Sequence, residues 1–320
     1  MGRATRNRRH VHSADYSHDP SRSGPDRPGL VIAHHGAAIT VEDGSGRRIR
    51  CTTRRRVGDL VCGDRVQWQP ASPGEGVVTG RLPRRSLLAR PQPRGGTRPL
   101  AANLDRIVVM AALRPAPDQF LIDRYLVAAE SIEIRPLIVL NKADLVDAEE
   151  RADLAERFAT YTRIGYELLI TSAKSEEGIE RLEEMLTGHA SILVGQSGVG
   201  KSSLAKVLLP ERDIRIGELT ETQHGRHTTS TAILYHLPFG GDLIDSPGVR
   251  DFAVWHIDPG HVAHAFVELR GLLGQCRFSD CSHTVEPGCA VREAVERGAI
   301  DARRYESYRR ILADAEDRER

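Results

Sequence analysis

Lysine is almost missing from this chain: 4 residues in 320, against 41 arginines. Positive charge is therefore nearly all guanidinium, and the four lysines, Lys142, Lys174, Lys201 and Lys206, stand out. A planar guanidinium cannot replace a compact ammonium that must enter a phosphate cradle or lie over a base. Three of the four fall in NKAD, SAK and GKS, which excludes a random scatter. Long apolar runs are lacking too. No stretch reaches the roughly eighteen apolar residues of a transmembrane helix, and the start, MGRATRNRRHVHSADYSHDP, has no apolar core of a secretory signal. Cysteine is sparse: of five, three lie close together near the C-terminus, which suits a reduced cytosol and a metal site rather than a disulfide framework. A soluble, cytoplasmic protein is expected.

What is present is unevenly spread. The net charge is +1, yet residues 1–100 hold 19 Arg against 8 Asp and Glu, a balance of +11, leaving −10 for the rest. A basic end of this size fits a nucleic-acid surface; a solvated basic face is the other reading. The length allows two or three domains with proper cores.

Four regions follow from the patterning. Residues 1–28 are polar and Arg-rich, as in a disordered basic arm. Residues 29–100 carry short strands, near Ala38–Glu42 and Arg48–Thr52 and in DRVQWQP and GEGVVTGRL, with no helical period. A small basic barrel of the oligonucleotide-binding (OB) type fits, and an SH3-like barrel reads almost the same. Residues 101–255 alternate apolar strands with amphipathic helices expected at Phe120–Ser131, Ala148–Thr160, Glu176–Thr187 and Lys201–Leu209. Such alternation predicts an α/β domain with a mostly parallel sheet covered on both faces. Residues 256–320 read as helical around a Cys-rich loop.

The chemistry is concentrated in the third region. Gly195-Gln196-Ser197-Gly198-Val199-Gly200-Lys201-Ser202, with Ser203 after it, is a full GxxxxGKS between a strand and a helix. Its glycines let backbone N–H groups turn toward phosphates at a helix N-terminus. In that setting Lys201 reaches the β- and γ-phosphates and Ser202 ligates Mg2+. Asp245-Ser246-Pro247-Gly248 follows a strand: Asp245 can hold Mg2+ through water and the Gly248 N–H can sense a γ-phosphate. Between them, GELTETQHGRHTTSTA has the length and polarity of a switch, with Thr229, then Thr228, as the threonine closing on Mg2+. Upstream, Asn141-Lys142-Ala143-Asp144 ends a strand. Asp144 can accept from guanine N1–H and the exocyclic amine, Lys142 can lay its stem over the ring, and Asn141 can support the loop. Thr171-Ser172-Ala173-Lys174, after the next strand, resembles the element whose backbone meets guanine O6. Base readers, phosphate loop, switch and DxPG thus occur in a cyclic rotation of the usual GTPase order, which predicts a circularly permuted domain. Val249 stands where many GTPases place a water-orienting Gln. His227, with His224 behind it, is the expected substitute. Finally, Cys276, Cys281, His283 and Cys289 offer three thiolates and one imidazole, a closed tetrahedral set for one structural Zn2+.

With these residues in hand, the chain closely resembles the ribosome small-subunit-dependent GTPase A family. AANLDRIVVMAA, IDRYLVAAE, VLNKADL, GQSGVGKSSL, GRHTTSTAILYHLP, DSPGVRDF and CRFSDCSHTVEPGCAVREAV carry the likeness. The resemblance implies an OB-fold N-domain, a permuted GTPase core and a zinc-binding C-terminal domain. It also implies GTP hydrolysis in late maturation of the small (30S) ribosomal subunit, stimulated by that subunit and its rRNA and driving release from it. The family role of the His before paired threonines adds weight to His227 in hydrolysis. A monomer exchanging GTP and GDP, with no membrane partner, is expected. The competing reading is a nucleic-acid-binding module whose nucleotide domain acts only as a clamp.

Overall fold

Alternation of inward and outward side chains builds the N-terminal barrel. The computed structural model describes residues 25–35, 38–91, 96–210, 232–246 and 258–319. His224, His227, Thr228, Thr229, Gly248, Val249 and the first 24 residues of the expected arm lie outside the described residues. The barrel strands are β1 (Arg27–His35), β2 (Ala38–Asp43), β3 (Arg48–Thr53), β4 (Arg65–Ser72) and β5 (Glu75–Arg81). On β2 and β3 every second residue points inward, burying Ile39, Val41, Ile49 and Cys51, as the period of two in a strand dictates. Val31, Val66, Trp68 and Val78 complete that core. The strands follow the order β1-β2-β3-β5-β4, and β4 pairs back on β1 to close the ring. β3 and β5 are parallel and the other neighbours antiparallel. This is the OB-type five-stranded Greek key, so the SH3-like alternative falls.

Strand β1 carries no alternation because it serves two cores. A bulge between Val31 and Ala33 turns Val31 into the barrel and Ile32 onto the core of the next domain. A two-stranded hairpin of β6 (Leu87–Pro91) and β7 (Thr97–Ala102) follows; no strand was expected there. Asn103 then fastens the exit to the barrel: its side chain donates to the Gly63 carbonyl at 2.8 Å and accepts from the Arg85 N–H at 2.8 Å.

The second domain runs β8 (Arg106–Ala112), α1 (Gln119–Glu130), β9 (Arg135–Asn141), α2 (Ala148–Arg163), β10 (Glu167–Ile170), α3 (Ile179–Leu186), β11 (Ala190–Val194), α4 (Lys201–Leu208), β12 (Ile233–His236) and β13 (Asp242–Asp245). Its sheet order is β10-β9-β8-β11-β13-β12. The first five are parallel and β12 is antiparallel to β13. All seven residues of β8 are buried, as two covered faces require. Ile107, Val109 and Ala111 face a core shared with α1 and α2, whereas Val108, Met110 and Ala112 face one shared with α3 and α4. Strand β11, which leads to the Gly-rich loop, is flanked by β8 and β13, although β9 and β10, which end at the NKAD and SAK tetrads, precede it in the chain. That is the permuted order the motifs predict. Helix α3 begins at Ile179 rather than Glu176, because Glu176 and Gly178 are left-handed, with φ of 61° and 72°. A single pairing, Ala33 with Ile233, continues the sheet into the barrel.

Helices α5 (Pro259–Ala265), α6 (Ala290–Glu296) and α7 (Ala302–Glu319) form the last region. It is pinned to the GTPase-like domain by a buried polar cluster. The Arg304 guanidinium, 1 % exposed, donates to Glu268 at 2.7 and 3.0 Å and to Asp123 on α1 at 2.7 Å. Arg303 donates to the other Asp123 oxygen at 2.6 Å, and the Tyr161 hydroxyl adds a third bond at 2.7 Å. No helix among the described residues is long and apolar enough to cross a membrane.

Candidate functional site

The parallel strands deliver their polar residues to one edge, where open α/β sheets bind ligands. β9 ends on Asn141, β10 leads to Thr171, β11 to Gly195, and β13 ends on Asp245. Ile244 pairs with Ile192, so Asp245 stands where β11 is about to turn into the Gly-rich loop.

Two glycines make that loop possible. A Cβ on Gly195 would lie 2.3 Å from the Met110 carbonyl oxygen, and one on Gly200 would lie 2.2 Å from the Asn141 side-chain nitrogen. Both have positive φ, 141° and 99°, conformations that side-chain-bearing residues rarely adopt. Gly200 caps α4, so the N–H groups of Lys201, Ser202 and Ser203 open the first helical turn. Those donors have no intrahelical partner, which makes the turn an anion site. The Lys201 ammonium donates to the Gly195 and Gln196 carbonyls, both at 2.6 Å, and so already lies across the loop. Ser197, Gly198 and Val199 line a cavity of about 250 Å³ with Lys142 and the N-terminal turn of α1.

The NKAD and SAK tetrads interlock with each other and with this loop. Asn141, 1 % exposed, donates to the Val199 carbonyl at 3.0 Å. Its oxygen accepts from the Ala173 N–H at 3.2 Å and the Thr171 hydroxyl at 3.3 Å. Lys142 is left-handed, with φ 68° and ψ 40°, a conformation that costs about 1–3 kcal/mol and persists only where neighbours hold it. Here the Ala143 N–H bonds to the Thr171 carbonyl at 3.0 Å. Asp144 accepts from the Ser172 hydroxyl at 2.7 Å and pairs with Lys174 at 3.7 Å. The Ser172 bond, with help from Lys174, holds the Asp144 carboxyl below the usual carboxylate range. It is therefore an ionised acceptor at neutral pH.

Two supporting residues were missed in the sequence. Arg151 on α2 donates to the Ala143 carbonyl at 3.2 Å and pairs with Glu177 at 2.5 Å. Glu177 in turn accepts the Ser172 N–H through its carbonyl at 2.9 Å. The pair braces both tetrad loops from behind, but one arginine among 41 carries no signal of this. Asn141 reaches the phosphate loop directly, which spacing alone does not reveal.

The Cys-rich loop gathers a separate site. The ligand atoms of Cys276, Cys281, His283 and Cys289 lie within 4.8 Å of one another. A tetrahedral ion with bonds of about 2.3 Å to sulfur and about 2.0 Å to nitrogen needs edges of about 3.8 Å (S–S) and about 3.5 Å (S–N). The Cys276–Cys289 separation is 3.9 Å, and His283 Nδ1 lies 3.4 and 3.5 Å from those sulfurs, so the residues fit such an ion. The Glu286 carboxylate ties the loop, accepting from the Ser282 hydroxyl at 2.7 Å and from the N–H groups of Ser282, Thr284 and Val285. Tyr305 and Tyr308 on α7 donate to the His283 and Ser282 carbonyls at 2.7 and 2.5 Å. Cys51 and Cys62 are buried outside this cluster.

A family model described as RsgA GTPase matches residues 81–255. The small ribosomal subunit biogenesis GTPase RsgA of Azotobacter vinelandii is 53 % identical over 295 residues, 91 % of this chain and 86 % of that protein. The protein of the same name from Pseudomonas aeruginosa is 50 % identical over 291 residues, with the same coverage. The crystal structure of YjeQ from Thermotoga maritima has a TM-score of 0.75 and 35 % identity, covering 91 % of this chain and 99 % of its own. That of YloQ, a circularly permuted GTPase, has a TM-score of 0.72 and 26 % identity, covering 96 % and 99 %.

Proposed function

This chain belongs to the RsgA GTPase family, and we propose that it hydrolyses GTP as a factor in late maturation of the small (30S) ribosomal subunit. The observation that carries the reading is the joined site: one buried amide, Asn141, bonded to both the phosphate loop and the second base-reading loop. Guanine enters with N1–H and its amine on Asp144, its ring under the Lys142 stem, and O6 toward the backbone of Ser172, Ala173 and Lys174. The backbone of Gly195, Gln196, Ser197, Gly198, Val199, Gly200, Ser202 and Ser203 cradles the phosphates, with Lys201 on the β- and γ-phosphates. Charge builds on those oxygens as the bond to the γ-phosphate breaks, so a fixed ammonium lowers the barrier.

Oxygen donors suit a hard cation, and Ser202 and Thr229 would hold Mg2+, with Asp245 behind a water. Bound with GTP, Mg2+ neutralises β- and γ-phosphate charge. Gly248 senses the γ-phosphate and His227 orients the attacking water, since Val249 has no polar atom for it. Cys276, Cys281, His283 and Cys289 hold one structural Zn2+.

The basic barrel of residues 29–100 is the rRNA-binding unit, residues 101–255 the GTPase and 256–320 the zinc-binding helical region. GTP favours docking on the immature subunit, subunit contact stimulates turnover, and hydrolysis drives release of this cytoplasmic monomer. GTP turnover by the purified protein, alone and with small subunits, large subunits or plain duplex RNA, tests the reading. Stimulation by small subunits alone is expected; equal stimulation by any RNA would leave only a generic RNA-binding GTPase.

A further inference from the structure

The barrel meets the GTPase domain on two sides. One is the exit through β7 and Asn103. The other is the β12–β13 hairpin, and there the contacts are of a different kind. Beside the Ala33–Ile233 pairing, the Cys62 thiol donates to the Ala232 carbonyl at 3.0 Å. At the far end of the hairpin one imidazole is held between two carboxylates. His236 Nδ1 lies 2.6 Å from Asp242 on β13, and Nε2 lies 2.7 Å from Glu42 on barrel strand β2. His236 and Asp242 are also direct cross-strand partners. Between this contact and the exit side lies an open cleft of about 630 Å³, lined from the barrel by Glu42 and Arg65 and from the GTPase domain by His189 and Asp242. The two bodies thus touch around a gap whose lining includes Glu42 and Asp242, the two partners of His236.

What the hairpin carries makes that contact consequential. Asp242 begins β13 and Asp245 ends it. Three residues of strand span about 10 Å and move as a rigid rod. We propose that His236 is a positioning residue, which ties the barrel to the strand bearing Asp245 so that nucleotide state and barrel placement change together. The inference rests on the reading of Asp245 as part of the GTP site. His236 touches no substrate in that reading; it acts through Asp242 and β13.

The test uses the full-length protein loaded with GDP or with a non-hydrolysable GTP analogue, and compares amide hydrogen exchange in β1 and β2. In the wild type, exchange there should differ between the two forms by about tenfold, within the usual range of coupling between sites. His236→Ala and Glu42→Gln should each erase the difference while leaving unstimulated GTP turnover unchanged. The double variant should do no more than either alone, because both remove one contact. His236→Arg, which can bond both carboxylates, should restore it. A merely structural contact would lower Tm in His236→Ala and leave the nucleotide-dependent difference intact, and that outcome overturns the proposal. So does a wild type whose exchange ignores the nucleotide. Turnover with small subunits separates the two readings. A wild type with the exchange difference but no subunit stimulation removes the ribosomal role and supports the link through His236.

Discussion

The Ser172 hydroxyl donates to Asp144 at 2.7 Å and the Lys174 ammonium pairs with it at 3.7 Å, so the carboxylate is oriented before any ligand arrives. Asp144→Asn should therefore weaken GTP by roughly a hundredfold or more, and improve xanthosine triphosphate, whose 2-oxo group matches an amide donor. Competition titration with a fluorescent guanine nucleotide reads both. Because the Asp144 carboxyl is held below its ordinary range, wild-type GTP affinity should stay flat from neutral pH into mild acid. At this scale much of the site is legible. In a chain that uses arginine almost everywhere, a lysine in NKAD, SAK or GKS declares that an ammonium is needed. Arg151 is illegible for the converse reason: its role is to be one guanidinium at one distance, and composition does not encode distance.

Elements were legible where one face is wet and obscure where both are dry. Strand β2 alternates and could be read, whereas β1 buries Val31 and Ile32 in succession because its bulge sends them to two different cores. Helix α2 announces itself through Asp147 and Glu150, which form a reciprocal capping box. Asp147→Ala should cost about 1 kcal/mol, seen as a lower urea midpoint with unchanged slope. The β12–β13 hairpin gives a pH signature. The carboxylate hydrogen bonds, Asp242 first and then Glu42, raise the pKa of His236 to about 9. A folded-state pKa above the unfolded value of about 6.5 means the contribution is complete below that pH and fades as pH rises through about 9. Tm should therefore fall between pH 7 and pH 10 in the wild type, and less steeply in His236→Ala. The Cys-rich loop should respond to chelation with loss of near-ultraviolet tyrosine signal, since Tyr305 and Tyr308 bond to its carbonyls.

Across the whole molecule, the C-terminal region is attached through charge rather than apolar contact alone. Arg304→Ala would leave the fully buried Asp123 with less compensation, and removing one partner of a buried pair costs about 3–5 kcal/mol. Arg304→Ala should lower Tm sharply, and Asp123→Asn combined with Arg304→Met should recover part of the loss, measured by calorimetry. None of this was visible in the sequence, because Asp123, Glu268, Arg303 and Arg304 meet only once the helices pack. The permuted connectivity of the sheet, by contrast, followed from the order of the motifs.

That order also sets a schedule for the nascent chain. As synthesis proceeds from the N-terminus, the barrel is made first, β9 and β10 add outward from β8, and β11 adds on the other side of β8. Strand β12 then emerges with a place waiting on barrel strand β1. Strand β13 comes last and fills the slot between β12 and β11, bringing Asp245 with it. At about 5–20 residues per second, the NKAD and SAK loops are complete seconds before the sheet closes. Nascent chains arrested before β13 has emerged should keep a base pocket that cannot yet retain a triphosphate, and release of β13 should switch retention on in one step. Permutation thus makes the keystone of the proposed nucleotide site the last strand that translation supplies among the described residues.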